Sequence, residues 1–458
     1  MTTTFKNSDH IYFIGIGGIS MSGLAEILVN HGYHVSGSDI KDSSVTEHLR
    51  SIGIHINIGQ NAENITNSIT HVVFTAAIHD DNEELKTAKA KKLKVIDRAE
   101  LLGQIMSEHS NSVAVSGTHG KTTTTSMVAE ILLAAKKDPT ITVGGILPTI
   151  GSNLKIGNSS YFVAEACEYH NSFLQLNPLV GIILNVESDH LDFFGSLENI
   201  YQSFHDFAKR IPENGVLIVN KDIENLSKIT NGLTCRVETF SLTKEDANWT
   251  VKNTIHHDDG KNTFDIHFNH EIKATINLNV PGEHNISNAV AAIASTAFFG
   301  ISPEDWTNGL GHFTGTNRRF QRKGEKNDII VIDDYAHHPT EIKATLAAAK
   351  KVKHNKTWCI FQPHTYSRTK FLFDEFGDAF FDADEIIIAD IYAAREIDDG
   401  TVNAKQLAER IKKTGKSAHY VGNFDEILSY LQNHCQKGDL LLTVGAGDVN
   451  KIGEAFLA

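Results

Sequence analysis

Cysteine is scarce: Cys167, Cys235, Cys359 and Cys435 lie far apart, with no Cys-x-x-Cys or other zinc-type spacing. That pattern excludes a disulfide scaffold and a cysteine metal centre, and a reducing, cytoplasmic compartment is the expectation. Positive charge is in deficit, since 42 Lys and Arg against 56 Asp and Glu leave a net charge of −14. No Lys/Arg-rich block offsets this field, so nucleic acid is not an expected partner. Long apolar runs are missing too. None approaches the roughly 18 residues of a membrane span, and residues 1–10 lack the apolar core of an export signal, so no membrane association is expected. No repeat and no low-complexity tract is visible.

What is present is a long α/β pattern. At 458 residues the chain suggests about three domains, each large enough for its own core. Between 10 and 105 the sequence alternates strand and helix signals, with strands near 10–15, 33–37, 71–75 and 94–96 and a helix over 20–30. This is a Rossmann-like pattern. A second block opens at Asn111, with strands at 161–165, 180–186 and 215–220; from Cys235 to Val280 short β-like runs suggest a small added antiparallel sheet. An Ala-rich helix is expected over 285–299. A polar stretch at 315–327 precedes a third βαβ block with strands at 328–333, 357–362, 385–391 and 439–444 and helices over 340–350 and 367–381. The resulting boundaries are 1–106, 107–318 and 319–458.

The most informative stretch runs from Val113 to Thr125: an apolar run, then Gly117-Thr118-His119-Gly120-Lys121-Thr122-Thr123. Glycines let backbone N–H groups turn toward phosphate oxygens. Lys121 can reach the outer phosphates, and Thr122 can meet Mg²⁺ at a helix N-terminus. ATP is the first ligand to consider. The loop is shorter than the general Gly-x4-Gly-Lys-[Ser/Thr] pattern, whose first glycine would fall at Val115. A lysine in such a loop contributes little packing, so its loss is expected to cost turnover and not stability.

The first block opens with Gly15-Ile-Gly17-Gly18-Ile19-Ser20 after a strand, with Ser38-Asp39 ending the next strand. A loop of this kind binds the pyrophosphate of NAD, FAD or a UDP-sugar by one mechanism, or is a ligand-free turn. In the second block, Glu165 ends a strand and His190 follows another in Glu187-Ser-Asp189-His190. Both stand where metal ligands sit in an open α/β sheet. Mg²⁺ prefers oxygen, which favours Glu165 over His190. The third block carries Asp333-Asp334-Tyr-Ala-His337-His338-Pro339 and Gln362-Pro-His364-Thr-Tyr-Ser-Arg368 at strand ends. Together they suggest a second substrate lobe in which His338 stabilises the turn before Pro339 and Arg368 meets an anion.

The order of these motifs, with Gly282-Glu-His284-Asn-Ile-Ser-Asn288 and Thr316-Asn-Arg318-Arg319-Phe320 between them, resembles the Mur ligases over the whole chain. The resemblance implies an ATP-dependent amide synthesis in peptidoglycan assembly. It is nearest the branch that joins L-alanine to UDP-N-acetylmuramate through an acyl phosphate. A branch adding a whole peptide in murein recycling is the alternative within the family, and an NAD-dependent oxidoreductase is the alternative outside it. The resemblance further implies a UDP-sugar domain using Gly15, Gly17, Gly18, Ile19, Ser20, Ser38 and Asp39. A central domain would hold ATP on Gly117 to Thr123 and Mg²⁺ on Thr122, Glu165 and His190. His284, Asn288 and Arg319 fall near the nucleotide; Lys121 of the central domain carries the chemistry together with His337 and Arg368, which place the amino acid in a third, closing domain. A monomer or homodimer is expected. Thr365 stands where many relatives have arginine, and Cys167 where aspartate is common.

Overall fold

A computed structural model describes residues 5–75, 77–394 and 396–458. The protein is mixed α/β, and the chain divides into two compact units, residues 1–248 with 291–305 and residues 249–290 with 306–458.

The first unit begins with His10–Ile14 (β1), His34–Asp39 (β2), His55–Ile58 (β3), His71–Phe74 (β4) and Lys94–Asp97 (β5). They form a parallel sheet in the order β3-β2-β1-β4-β5. Strand order reverses beside β1, and a crevice opens outside its carboxyl end, where ligands of open α/β sheets bind. β3 was not expected, because His-Ile-Asn-Ile is too short and too polar to signal a strand; pairing from Ser36↔His55 to Asp39↔Ile58 holds it.

The same unit continues with Asn111–Ser116 (β6), Thr140–Leu147 (β7), Ser152–Lys155 (β8), Tyr161–Glu165 (β9), Val180–Ile183 (β10), Val216–Asn220 (β11) and Arg236–Ser241 (β12). Their order is β12-β11-β10-β6-β9-β7-β8, with only β8 antiparallel to its neighbour. The inner strands are buried almost throughout, as a sheet covered on both faces requires. Because β12 pairs in parallel with β11, the antiparallel segment starts at Trp249 and not at Cys235. One continuous core joins Phe13, Leu24 and Leu102 of the first sheet's layer to Phe162, Phe173, Phe204 and Phe207. Phe173 and Phe207 stack with centroids 4.9 Å apart. Helix Arg98–Ser107 approaches the 169–175 segment so closely that a Cβ on Gly103 would lie 2.1 Å from the Gln175 carbonyl oxygen.

In the second unit, Trp249–His256 (β13), Asn262–Phe268 (β14) and Glu271–Leu278 (β15) form an antiparallel meander. Gln321–Lys326 (β16), Ile329–Asp334 (β17), Thr357–Phe361 (β18), Glu385–Ile388 (β19), Ser417–Tyr420 (β20) and Leu440–Val444 (β21) form a sheet ordered β16-β17-β21-β18-β19-β20. Only β16 is antiparallel. The helix expected over 367–381 is two short helices, Tyr366–Phe371 and Phe373–Gly377. Leu372 breaks them at φ −103°, ψ 26°, turning its side chain into the core below β18.

Candidate active site

The loop after β6 is shaped by two glycines. Gly117 has φ 138° and Gly120, at φ 83°, is the left-handed cap of helix Lys121–Ala134. A Cβ on Gly117 would come within 3.0 Å of Leu184 Cβ, so only glycine lets the loop pass the end of β10. Hydrogen bonds then staple the loop in place. The Thr118 N–H donates to the Asn185 carbonyl (3.2 Å), the His119 N–H to Asn185 Oδ1 (2.7 Å), and the Glu187 N–H to Thr118 Oγ1 (2.9 Å). Thr122 and Thr123 are buried in the first turn, where the helix N-terminus favours an anion.

Lys121 folds back over this loop. Its ammonium donates to the carbonyls of Gly117 (2.5 Å) and Thr118 (3.0 Å) and lies 3.0 Å from Glu168 Oε2. Burial works against the charged ammonium, but the carboxylate of Glu168, with Cys167 and Glu165, outweighs it, and the Lys121 pKa moves up. The cation is therefore held ready. Glu168 follows three residues after Glu165, and nothing in the sequence alone marks it as the partner of Lys121.

Parallel pairing places Glu165 opposite Val115 of β6, two residues before the loop, and Ile183 of β10 opposite Ser116 on the other side. The Gly144 N–H donates to Glu165 Oε1 (2.6 Å), and a Cβ at Gly144 would clash with both carboxylate oxygens at 2.8 Å. His190, in the left-handed region at φ 51°, stacks on Tyr169 with centroids 4.3 Å apart, and its Nε2 is 3.7 Å from Asp189 Oδ2. The carboxylate of Glu165 and the hydroxyl of Thr122 are the hard oxygen donors that suit Mg²⁺.

At the first sheet, Gly15 has φ 79°, and both the Gly15 and Ile16 N–H groups donate to the Ser38 carbonyl at 2.8 Å. Gly18 precedes helix Ile19–Asn30, leaving Ile19 and Ser20 exposed at its N-terminus. Asp39 Oδ2 accepts the Gly17 N–H (2.8 Å), so this carboxylate shapes the loop itself. Ser38 is buried, and its hydroxyl donates to Glu84, which also receives Tyr12 and Asn64. Burial outweighs these bonds and raises the Glu84 pKa.

In the second unit, His337 and Arg368 belong to one cluster. His337 Nδ1 is 3.0 Å from the Tyr335 carbonyl, which can only accept, so Nδ1 carries the proton. The His337 N–H donates to Glu341 (2.9 Å). Arg368 Nη1 donates to His364 Nδ1 (3.3 Å), and the His364 ring faces His337 edge-on at 5.8 Å and stacks on Tyr392 at 5.6 Å. His364, within the motif ending at Arg368, and Glu341, two residues beyond Pro339, were not expected as site residues. His338 caps helix Pro339–Ala349, accepting the Thr340 N–H, as the turn reading expected. Arg318 is structural: it donates to Asp333 (3.0 Å) and to the Gly445 and Gly447 carbonyls. Arg319 lies 5.0 Å over the Tyr335 ring. On helix Glu283–Ala297, the exposed His284 folds over Gly282, and the buried Asn288 donates to Asn285 Oδ1 (3.3 Å).

The chain is similar to known proteins along nearly its whole length. Models for the Mur ligase family catalytic domain, middle domain and glutamate ligase domain match residues 10–110, 115–296 and 318–447. The chain is a Mur ligase. Among relatives of this Mur ligase, the UDP-N-acetylmuramate–L-alanine ligase of Lachnospira eligens is 52% identical, covering 99% of each chain. That of Clostridium acetobutylicum is 49% identical over the full length of both. The crystal structure of the UDP-N-acetylmuramate-alanine ligase from Thermotoga maritima superposes with a TM-score of 0.81 at 30% identity, covering 98% of each chain. A murein peptide ligase from Psychrobacter arcticus gives 0.71 at 26% identity, also covering 98% of each. The protein is an ATP-dependent ligase.

Proposed function

We propose that this Mur ligase joins L-alanine to UDP-N-acetylmuramate, yielding UDP-N-acetylmuramoyl-L-alanine, ADP and phosphate for peptidoglycan synthesis. The observation that carries this reading is 52% identity across nearly the whole chain to a ligase of that specificity, against 26% to a peptide-adding ligase. The family match and the complete triphosphate loop set aside an NAD-dependent oxidoreductase. Among the described residues no helix is long and apolar enough to cross a membrane, which is compatible with work in the cytoplasm, where ATP is at hand.

The three matched segments support assigning 1–106 to the UDP-sugar, 107–318 to ATP and 319–458 to the amino acid. The Gly15 loop, with Ile19, Ser20, Ser38 and Asp39, would take the UDP phosphates at a helix N-terminus. Gly117 to Thr123 would cradle the ATP phosphates, with His284, Asn288 and Arg319 near the nucleotide. Thr122 and Glu165, joined by His190, would hold Mg²⁺, which supplies positive charge beside the phosphates when bound.

In the first step a carboxylate oxygen of the muramyl group attacks the γ-phosphorus and ADP leaves, giving an acyl phosphate. Two anions must meet for this, and Lys121, held charged beside Glu168, would offset the charge gathering on the transferring group. The neutral amine of alanine then attacks the acyl carbon, and phosphate leaves the tetrahedral intermediate. His337 carries its proton on Nδ1, so in the neutral ring Nε2 is the basic nitrogen able to take the amine's proton. Arg368 offers a planar guanidinium to the alanine carboxylate. A coupled ADP-release assay tests the assignment. Release should require both UDP-N-acetylmuramate and L-alanine; release that needs a tripeptide in place of alanine would transfer the protein to the recycling branch.

A further inference from the structure

One cation in the first unit has no place in the scheme above. Arg98 opens helix Arg98–Ser107, whose start is fixed by the Asp97 side chain accepting the Ala99 N–H (2.6 Å) and whose body is locked at Gly103 against the Gln175 carbonyl. Its guanidinium is half-buried, and among the described residues its one side-chain hydrogen bond is to Ser20 Oγ (3.1 Å), with no acidic partner. In a chain of net charge −14, where lysines and arginines readily find carboxylates, a cleft arginine with no ion pair among the described residues is placed to meet an anion.

The cleft gives that anion an identity. It encloses about 210 Å³ and runs from Ser20 and Gly23, beside the Gly15 loop, past Arg98 to Gly144, Glu165 and Cys167, beside the phosphate loop. One end thus touches the elements read as the UDP site and the other the strand end that flanks Lys121. A substrate spanning it presents its sugar acid between the two. The group that must lie there is a carboxylate on its way to a γ-phosphate, and Glu165, the one acid in the lining, would repel it unless a cation intervenes.

We infer that Arg98 binds the lactyl carboxylate of the UDP-sugar substrate, selecting sugars that carry the acid and aiming the attacking oxygen. The inference rests on the function proposed above. The guanidinium forms charge-assisted, two-pronged hydrogen bonds with a carboxylate, so one nitrogen can keep Ser20 while others take the substrate. Ser20 then links the acid-binding arginine to the helix N-terminus that receives the UDP phosphates.

Titration calorimetry with two ligands tests this: UDP-N-acetylmuramate and UDP-N-acetylglucosamine, which lacks the lactyl acid. The wild type should prefer the acid-bearing sugar by roughly tenfold or more. Arg98→Gln should erase the preference while UDP-N-acetylglucosamine binds within about threefold of wild type; that second ligand reports whether the site still folds. Arg98→Lys, which keeps charge but not the planar fork, should fall between and serves the same comparison if the Gln variant proves unstable. Equal weakening of both ligands would make Arg98 a nucleotide contact, and an unchanged preference would remove it from recognition; either overturns the inference. Failure of the wild type to bind UDP-N-acetylmuramate at all would instead overturn the proposed function.

Discussion

Lys121 Nζ lies 3.0 Å from Glu168 Oε2, a carboxylate with only 4% of its side chain exposed, so the ammonium of the phosphate loop is also the counter-ion of a buried acid. The expectation that a loop lysine carries no structural weight does not survive this contact. Lys121→Ala should lower turnover on the order of 10²-fold or more and also destabilise the fold by about 3 kcal/mol, because an unpaired buried charge remains. Adding Glu168→Gln should restore most of the stability and none of the turnover. Thermal melts and initial rates on the three variants check both halves. A single variant as stable as wild type would remove the pair from the stability account.

Asp334 makes stability depend on pH in an unusual direction. Burial raises its pKa to about 6 against the opposing pull of Arg319 and of the Phe320 and Ala336 N–H groups. The folded protein therefore keeps this proton above the pH at which the unfolded chain releases it. Stability from this group is full below the unfolded value near 3.8 and is lost as pH rises toward 6. Relative to Asp334→Asn, the wild type should lose about 2 to 3 kcal/mol between about pH 4 and pH 6, measured by denaturant unfolding at each pH. A flat difference would contradict the assignment.

Arg368→Lys should raise the KM for L-alanine roughly tenfold or more, since loss of a charge-assisted contact costs about 1.5 to 3 kcal/mol, and should leave the KM for ATP nearly unchanged. Equal rises in both would place Arg368 on phosphate and withdraw it from amino-acid recognition.

Thr365 holds the N-cap of the helix bearing Arg368 at φ 67°, ψ 147°, a conformation that suits glycine. Its hydroxyl accepts the Arg368 N–H at a long 3.4 Å, so little capping is lost on substitution. Thr365→Gly should therefore raise stability by about 1 kcal/mol in denaturant titrations; destabilisation would show that the cap outweighs the strain.

Much of this was readable in the residues. Apolar runs ending in glycine loops revealed β1, β6 and their helices, because a parallel strand buried on both faces has little freedom in composition. Edge strands escaped: Ser-Ala-His-Tyr of β20 and His-Ile-Asn-Ile of β3 owe their extension to a neighbour's ladder and not to their own pattern. Arg236–Ser241 showed as a strand but not as a parallel one, since partner choice is a tertiary property. At the site, Glu165, His190 and Arg368 could be named from position, and His337 from the family resemblance. The partner each takes could not, which is why Glu168, His364 and Arg98 emerged only with the fold. Asp39 shows the same limit, because its hydrogen bond to Gly17 N–H makes it part of the loop it was read as accompanying.

The central claim is that the sugar's carboxylate itself attacks the γ-phosphorus of ATP beside Lys121. UDP-N-acetylmuramate labelled with ¹⁸O in both carboxylate oxygens, turned over with ATP and L-alanine, tests it most directly by mass spectrometry of the products. The account predicts one labelled oxygen in each inorganic phosphate released and one retained in the new amide. Unlabelled phosphate, or label recovered in AMP, would show that no acyl phosphate forms and would contradict it.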